Sequence, residues 1–285
     1  MRVFARLLVF GGPALVLGLG LLAGGAPGRA AGDKPTPWQP LIPDSDAKDL
    51  VQHLGHVEQD ALKAGKGKMD KKDYENKITT VPLLIAVITQ STKAGANAQD
   101  MAAYRAAALR LSEDAQAGKL SAAQAQAAAL AGLKADTATG AGAAPANLED
   151  KGELLDYMSL LKLRSKGGIG FGLKPGISPT TDGIESRLLG LQKRKLSETE
   201  MKKQSADLTR MGYILAAVSE VTEAHTPKRK QGDKDPKKWT EWNKDMRDAS
   251  LEFAAAAQAK NAAAVKAAAT KLNASCNDCH GTFRD

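Results

Sequence analysis

The sequence predicts an all-α protein made of two tandem antiparallel four-helix bundles. Three observations lead there. Aromatic residues are only 4% of the 285, and few segments show the alternation that a half-buried strand requires. Long stretches instead repeat apolar residues at spacings of three and four, which places them on one helical face. The chain also matches itself. Leu84 to Ala94 reads LIAVITQSTKA and Ile214 to Ala224 reads ILAAVSEVTEA. Tyr104–Leu130 then parallels Met246–Leu272, with Arg105 opposite Arg247, Leu109 opposite Leu251, and Ala115-Gln116-Ala117 opposite Ala257-Gln258-Ala259.

With 43% hydrophobic and 25% charged residues, the chain is neither collagen-like nor wholly disordered. Two cysteines cannot build the framework of a disulfide-stapled scaffold. Arg2 and Arg6 precede an apolar, Gly-rich run from Leu7 to Ala26, and Gly28-Arg29-Ala30 offers the small residues of a cleavage site. Residues 1–30 therefore read as a signal peptide, and the mature protein as periplasmic or otherwise exported. An uncleaved anchor is the other reading, which the many glycines disfavour. Losing Arg2, Arg6 and Arg29 lowers the net charge from +8 to +5. The basic stretches Lys193–Lys195 and Lys228–Lys238 carry no interleaved aromatics and read as solvated charge, which argues against nucleic-acid binding.

Residues 31–44 form a Pro-rich linker containing Pro35, Pro37, Pro40 and Pro43. The first bundle follows over 45–137, a second linker over 138–147, and the second bundle over 148–285. In the second copy, Ser197-Glu198-Thr199-Glu200 has the spacing of a capping box and opens a helix that runs to about His225. Thr226-Pro227 ends it. Asp235-Pro236 supplies an N-cap acid and an N1 proline for the next helix, and Asn261 caps the last one. The apolar stripes of these helices are Met201, Leu208, Met211, Leu215, Val218; then Trp239, Trp242, Met246, Phe253; then Val265, Ala269, Leu272. The first helix of this copy comes from Asp182–Lys195, from Leu148–Lys166, or from both.

The chain ends Cys276-Asn277-Asp278-Cys279-His280-Gly281-Thr282-Phe283-Arg284-Asp285. C-x-x-C-H is the attachment pattern of c-type haem. The Cys276 and Cys279 thiols add to the two vinyl groups, and His280 offers a neutral imidazole nitrogen to iron. The stripe Val265, Ala269, Leu272, Cys276, Cys279, Phe283 advances by fours and threes, so the attachment residues continue the core seam. A redox dithiol, a zinc site and a plain disulfide are the alternatives. Zinc lacks a nearby fourth ligand, since His53, His56 and His225 are distant in sequence, and a thioredoxin-like dithiol lacks its βαβ setting.

The run from Trp239 through Arg284, with its Ala-rich helices and terminal CNDCHGTFR, resembles the class II cytochromes c, the cytochrome c′ family. The resemblance covers residues 197–285 best, is weaker for the first helix, and reaches 45–137 only through the internal repeat. It implies four antiparallel helices around one covalent haem c. It also implies that Phe283 and Arg284 occupy the aromatic and arginine positions after the haem histidine, with Arg284 near the proximal face or a propionate. By the same resemblance the sixth iron position belongs to the first helix. Met158 would supply it if that helix is Leu148–Lys166, whereas Leu188 or Leu191 would face the iron if it is Asp182–Lys195. Met211 and Met246 fit core seams. A thioether ligand suits electron transfer, while an apolar neighbour leaves iron open to NO or CO.

The expected function is an exported c-type cytochrome that transfers electrons to a redox partner protein, with an acidic partner as one option. Gas binding in the manner of cytochrome c′ is the alternative, and a scaffold with a structural haem is a third reading. No acid/base pair, nucleophile triad or hydrolase motif points to an enzyme. Relatives often form dimers through their first two helices, so a homodimer is expected unless the attached copy occupies that surface within one chain. Lys134-Ala135-Asp136-Thr137 stands in the first copy where the second has its cysteines, so that bundle carries no covalent haem. His53 and His56 share a face there and could hold a metal, though packing is the simpler role. Gly167-Gly168-Ile169-Gly170-Phe171-Gly172 lacks the strand and helix of a phosphate loop and reads as a loop over the haem edge, with Ile169 or Phe171 as a lid.

Overall fold

The computed structural model describes residues 38–67, 69–93, 95–134, 146–174 and 181–284. The proposed signal peptide, most of the Pro-rich stretch and positions 138–145 of the second linker lie outside the described residues. Within them the fold is all-helical, with nine α-helices and no strand. These are α1 (Asp44–Ala64), α2 (Lys71–Gln90), α3 (Ala98–Gln116), α4 (Leu120–Ala131), α5 (Leu154–Ser159), α6 (Ile184–Lys193), α7 (Glu198–Ala224), α8 (Pro236–Gln258) and α9 (Ala262–Phe283), with a 3-10 turn at Arg164–Lys166.

The helix starts follow local chemistry. The Asp70 carboxylate accepts from the Lys72 amide at the head of α2, at 2.8 Å. Ser197 and Glu200 form the reciprocal capping box of α7. Asp235 accepts from the Lys237 amide behind Pro236, and Asn261 accepts from the Ala264 amide. Each cap satisfies an amide that has no partner within its own helix.

In the first bundle α1 packs on α2 and α4, and α3 packs on α2 and α4, closing a ring. In the second, α8 lies between α7 and α9, and α6 packs on α9. This identifies α6 as the first member of the second bundle. Leu148–Lys166 instead yields the short α5 and the 3-10 turn, and α5 lies on α2 and α7. With 10 residues against 27 in α7, α6 covers about 15 Å of a bundle about 40 Å long.

The two repeats meet through equivalent helices, α2 and α7. Nearly every residue of α2 from Lys77 to Thr89, and every residue of α7 from Met211 to Thr222, is buried. A helix that is apolar around its whole circumference belongs in an interior, and here each fills the other's open side. The lead-in segments cross over at this junction. The Gln39 amide, ahead of α1, donates to Glu220 on α7 at 2.8 Å. Gln90 on α2 holds both the amide and the carbonyl of Ala146, on the way into the second repeat, each at 2.9 Å. Residues 38–43 are accordingly packed rather than loose: Leu41 and Ile42 are buried, and both amides bond the Ser91 carbonyl.

The glycine cluster serves a turn. Gly168 sits against the Lys162 carbonyl, where a Cβ has no room, and Gly170 has a φ of 83° beside Arg164. Lys77 Nζ donates to the Gly168 carbonyl at 2.9 Å, and Arg164 pairs with Asp182 at 2.8 Å. Ile169 is buried in the shared core, so it acts as packing and not as a lid. Phe171 is half-buried under the Arg187 guanidinium, 5.0 Å from the ring centre.

Candidate haem site

Helix α9 delivers the motif. Val265, Ala269 and Leu272 are buried, and the stripe runs on through half-buried Cys276, Cys279 and Phe283. His280 and Arg284 are exposed on the flank of the same end. The thiols are free, one helical turn apart, and on the side that continues the core.

Three other helices build the surroundings. Phe283 meets the ring of Trp239 edge-on, with centroids 4.8 Å apart, and that of Trp242 at 6.0 Å. Such edge-to-face contacts set the rotation of the last turn of α9 against the first turns of α8. Trp239 is itself fixed, its indole N–H donating to the Thr222 carbonyl of α7 at 2.8 Å. Ser275 Oγ donates to the Trp242 carbonyl at 2.7 Å, immediately before Cys276. From α6, Glu185 lies close enough for its charge to act on both Cys276 and His280.

Electrostatics leave the three groups neutral. Burial pushes the Cys276 thiol up to about 11, and the neighbouring Cys279 and Glu185 charges act in the same direction. Burial also raises Cys279. Burial lowers His280, with the Arg284 charge adding to the effect and Glu185 opposing it. Two protonated thiols and a neutral imidazole fit a c-type haem: S–H bonds can add across vinyl groups, and the unprotonated nitrogen is an iron ligand. When bound, haem supplies a one-electron Fe(III)/Fe(II) couple.

Of the other candidates, Leu188, Leu191 and Met246 lie on helices that pack on α9, and Met158, His53 and His56 do not. Met158 is half-buried on α5, whose neighbours are α2 and α7, whereas the helices against α9 are α8 and α6. Leu188 and Leu191 are buried on α6. Met211 and Met246 are buried in the second bundle's packing. His53 is buried beside a cavity of about 10 Å3 lined by Phe171, Ile184, Met211 and Ile214, room for one water molecule. His56 is half-exposed, and no cluster of three or more His, Cys, Asp or Glu forms among the described residues. A wide depression of about 470 Å3, lined by Lys66, Met69, Asp73 and Lys166 among others, draws no residue from α9.

The first bundle is shut at the matching place. A Cβ on Gly55 would fall 2.5 Å from the Ala131 amide nitrogen and 2.8 Å from the Leu130 carbonyl carbon. Thus α1 and α4 touch backbone to backbone, and in the repeat register Leu130 is the partner of Leu272, four residues before Cys276. Helix α4 ends at Ala131, before the Lys134 that stands in the cysteine position.

Sequence reasoning did not anticipate Trp239, Trp242 and Glu185 as neighbours of the motif. The two tryptophans were visible only as a core stripe. Their pairing with Phe283 depends on the antiparallel register of α8 and α9.

Residues 193–284 match the family model described as Cytochrome C'. The match spans α7, α8 and α9 and takes in Cys276, Cys279, His280, Phe283 and Arg284, so this region is similar to that family. No curated protein and no solved structure matches the chain.

Proposed function

We propose that the protein is an exported, periplasmic c-type cytochrome that carries one covalent haem and transfers single electrons, acting as a carrier and not as an enzyme. The observation that carries this reading is the placement of Cys276, Cys279 and His280 at the end of α9, where the two cysteines continue the helix's buried stripe inside the family-matching region. Cys276 and Cys279 anchor the porphyrin through thioethers, and His280 ligates its iron. Phe283, locked between Trp239 and Trp242, holds the attachment turn against α8. The N-terminal pattern of Arg2, Arg6, an apolar run and Gly28-Arg29-Ala30 supports export, and among the described residues no helix is long and apolar enough to cross a membrane.

One observation favours a gas-binding second reading. Helix α6 reads Ile-Glu-Ser-Arg-Leu-Leu-Gly-Leu-Gln-Lys and offers no thioether, imidazole or thiol, while Met158 lies with α5. An iron ligated by His280 alone would keep a site open to NO or CO.

Mass spectrometry of the mature protein from its native host tests the main reading. The expected mass corresponds to a chain shortened near Ala30 with one haem added. A full-length chain without haem overturns it. The reduced absorption spectrum separates the two activities: a low-spin spectrum unaffected by CO supports a six-coordinate carrier, and a high-spin spectrum that shifts on CO addition supports the open site.

A further inference from the structure

We propose that the end of the second bundle carrying the haem motif is a docking surface for an acidic one-electron protein. The proposal rests on the haem assignment above. Read alone, the basic stretch after α7 lacks aromatics and looks merely solvated. The fold changes that, because it sets this stretch beside the attachment turn. The loop from Thr226 to Asp235 joins α7 to α8, and Trp239, four residues past it, touches Phe283, three residues past His280.

Residues 226–238 hold six cations, Lys228, Arg229, Lys230, Lys234, Lys237 and Lys238, against the two acids Asp233 and Asp235. Five of them, all but Lys234, are exposed, and Lys230 pairs with Asp235 at 3.6 Å. Arg284 adds an exposed cation from α9, while exposed Glu241, Asp245 and Asp278 partly offset the excess. The segment has a defined shape. Gln231 and Lys234 exchange backbone hydrogen bonds at 3.1 and 3.0 Å, and His225 Nδ1 bonds the Val221 carbonyl at 2.8 Å. Half-buried Trp242, three residues past Trp239 on α8 and 6.0 Å from the Phe283 ring, adds an amphipathic ring of the type enriched in protein interfaces.

Charges at the rim of a contact steer encounter more than they hold the complex. A negatively charged acceptor drawn to this end arrives next to the haem. One electron then leaves the ferrous protein, which becomes ferric, and the acceptor is reduced by that electron with no proton transferred.

Stopped-flow oxidation of the reduced, haem-loaded full chain tests this, with plastocyanin as an acidic acceptor protein and tris(phenanthroline)cobalt(III) as a cationic acceptor. The variant is Lys228→Glu/Lys230→Glu/Lys238→Glu. Its control is Lys63→Glu/Lys72→Glu/Lys93→Glu, three exposed sites in the first repeat with the same change in net charge. The expected result is a plastocyanin rate that falls with salt and drops about tenfold in the first variant alone, while the cobalt rate rises. Equal losses in both variants, or rates indifferent to salt, overturn the docking surface and leave the cytochrome reading standing. A purified chain without a haem absorption band ends both.

Discussion

Gln90 and Glu220 occupy the same position in the two repeats, and each grips the backbone that leads into the opposite one. Glu220 takes the Gln39 amide at 2.8 Å, and Gln90 takes both polar groups of Ala146 at 2.9 Å. Glu220 is also 3.6 Å from Arg247 and almost fully buried. Glu220→Ala should therefore cost about 2–3 kcal/mol, since it leaves the amide unpaired and a largely buried guanidinium with only the exposed Asp248, at 4.0 Å. Glu220→Gln, which copies its counterpart, should cost less. Urea unfolding followed by circular dichroism checks both, and the two repeats should melt in one transition because they share a core.

Gly55→Ala should destabilise the protein by about 1–3 kcal/mol, because the added methyl would push α4 away from α1 at Ala131. The same scan of unfolding midpoints reads it. Substituting alanine at exposed Gly281, which has open space around it, is the matched control and should change stability by under about 1 kcal/mol.

Acid should weaken the fold through His53. Burial, followed by the charge of Arg210, lowers its proton affinity from 6.5 to about 4, with Asp49 pulling the other way. Between those values the unfolded chain binds a proton that the folded one refuses, so stability rises with pH from about 4 to 6.5. The shift corresponds to at most about 3 kcal/mol. His53→Gln, uncharged throughout, should flatten this part of the curve when unfolding is compared at the two ends of that range. An unchanged pH slope would refute the assignment.

Removing the thiols should separate attachment from folding. Cys276→Ala/Cys279→Ala should abolish haem that survives denaturation, while the far-ultraviolet spectrum stays helical. His280→Ala should keep covalent haem but alter its absorption, because the anchors remain and the iron ligand is lost. Haem staining of a denaturing gel and the absorption spectrum read the two outcomes.

Much of this was legible before the fold. Ser197, Asp235 and Asn261 cap the helices they were expected to cap, and the stripes of α7, α8 and α9 are buried except for Trp242 and, at the end of α9, Cys276, Cys279 and Phe283, which are half-buried. Caps and stripes are local or periodic signals, so sequence carries them. The choice of α6 over Leu148–Lys166 was not legible. Both stretches carry apolar residues at helical spacing, and packing on α9 decides between them. The exchange of Gln39 and Ala146 across the junction joins positions 181 and 56 residues apart and leaves no local signature. Ile169 looked like a surface residue because glycines flank it, yet those glycines form the turn that buries it.

The pairing of α2 with α7 joins two parts of one molecule, so its strength does not depend on how much protein is present. Two separately made subunits at low abundance would drift apart once their concentration fell below the dissociation constant. A tether keeps the local concentration near the millimolar range however dilute the compartment becomes. The arrangement also bears on stoichiometry: the C-x-x-C-H motif occurs once in the chain, so on the proposed reading the pair would carry one redox centre where a symmetric dimer would carry two.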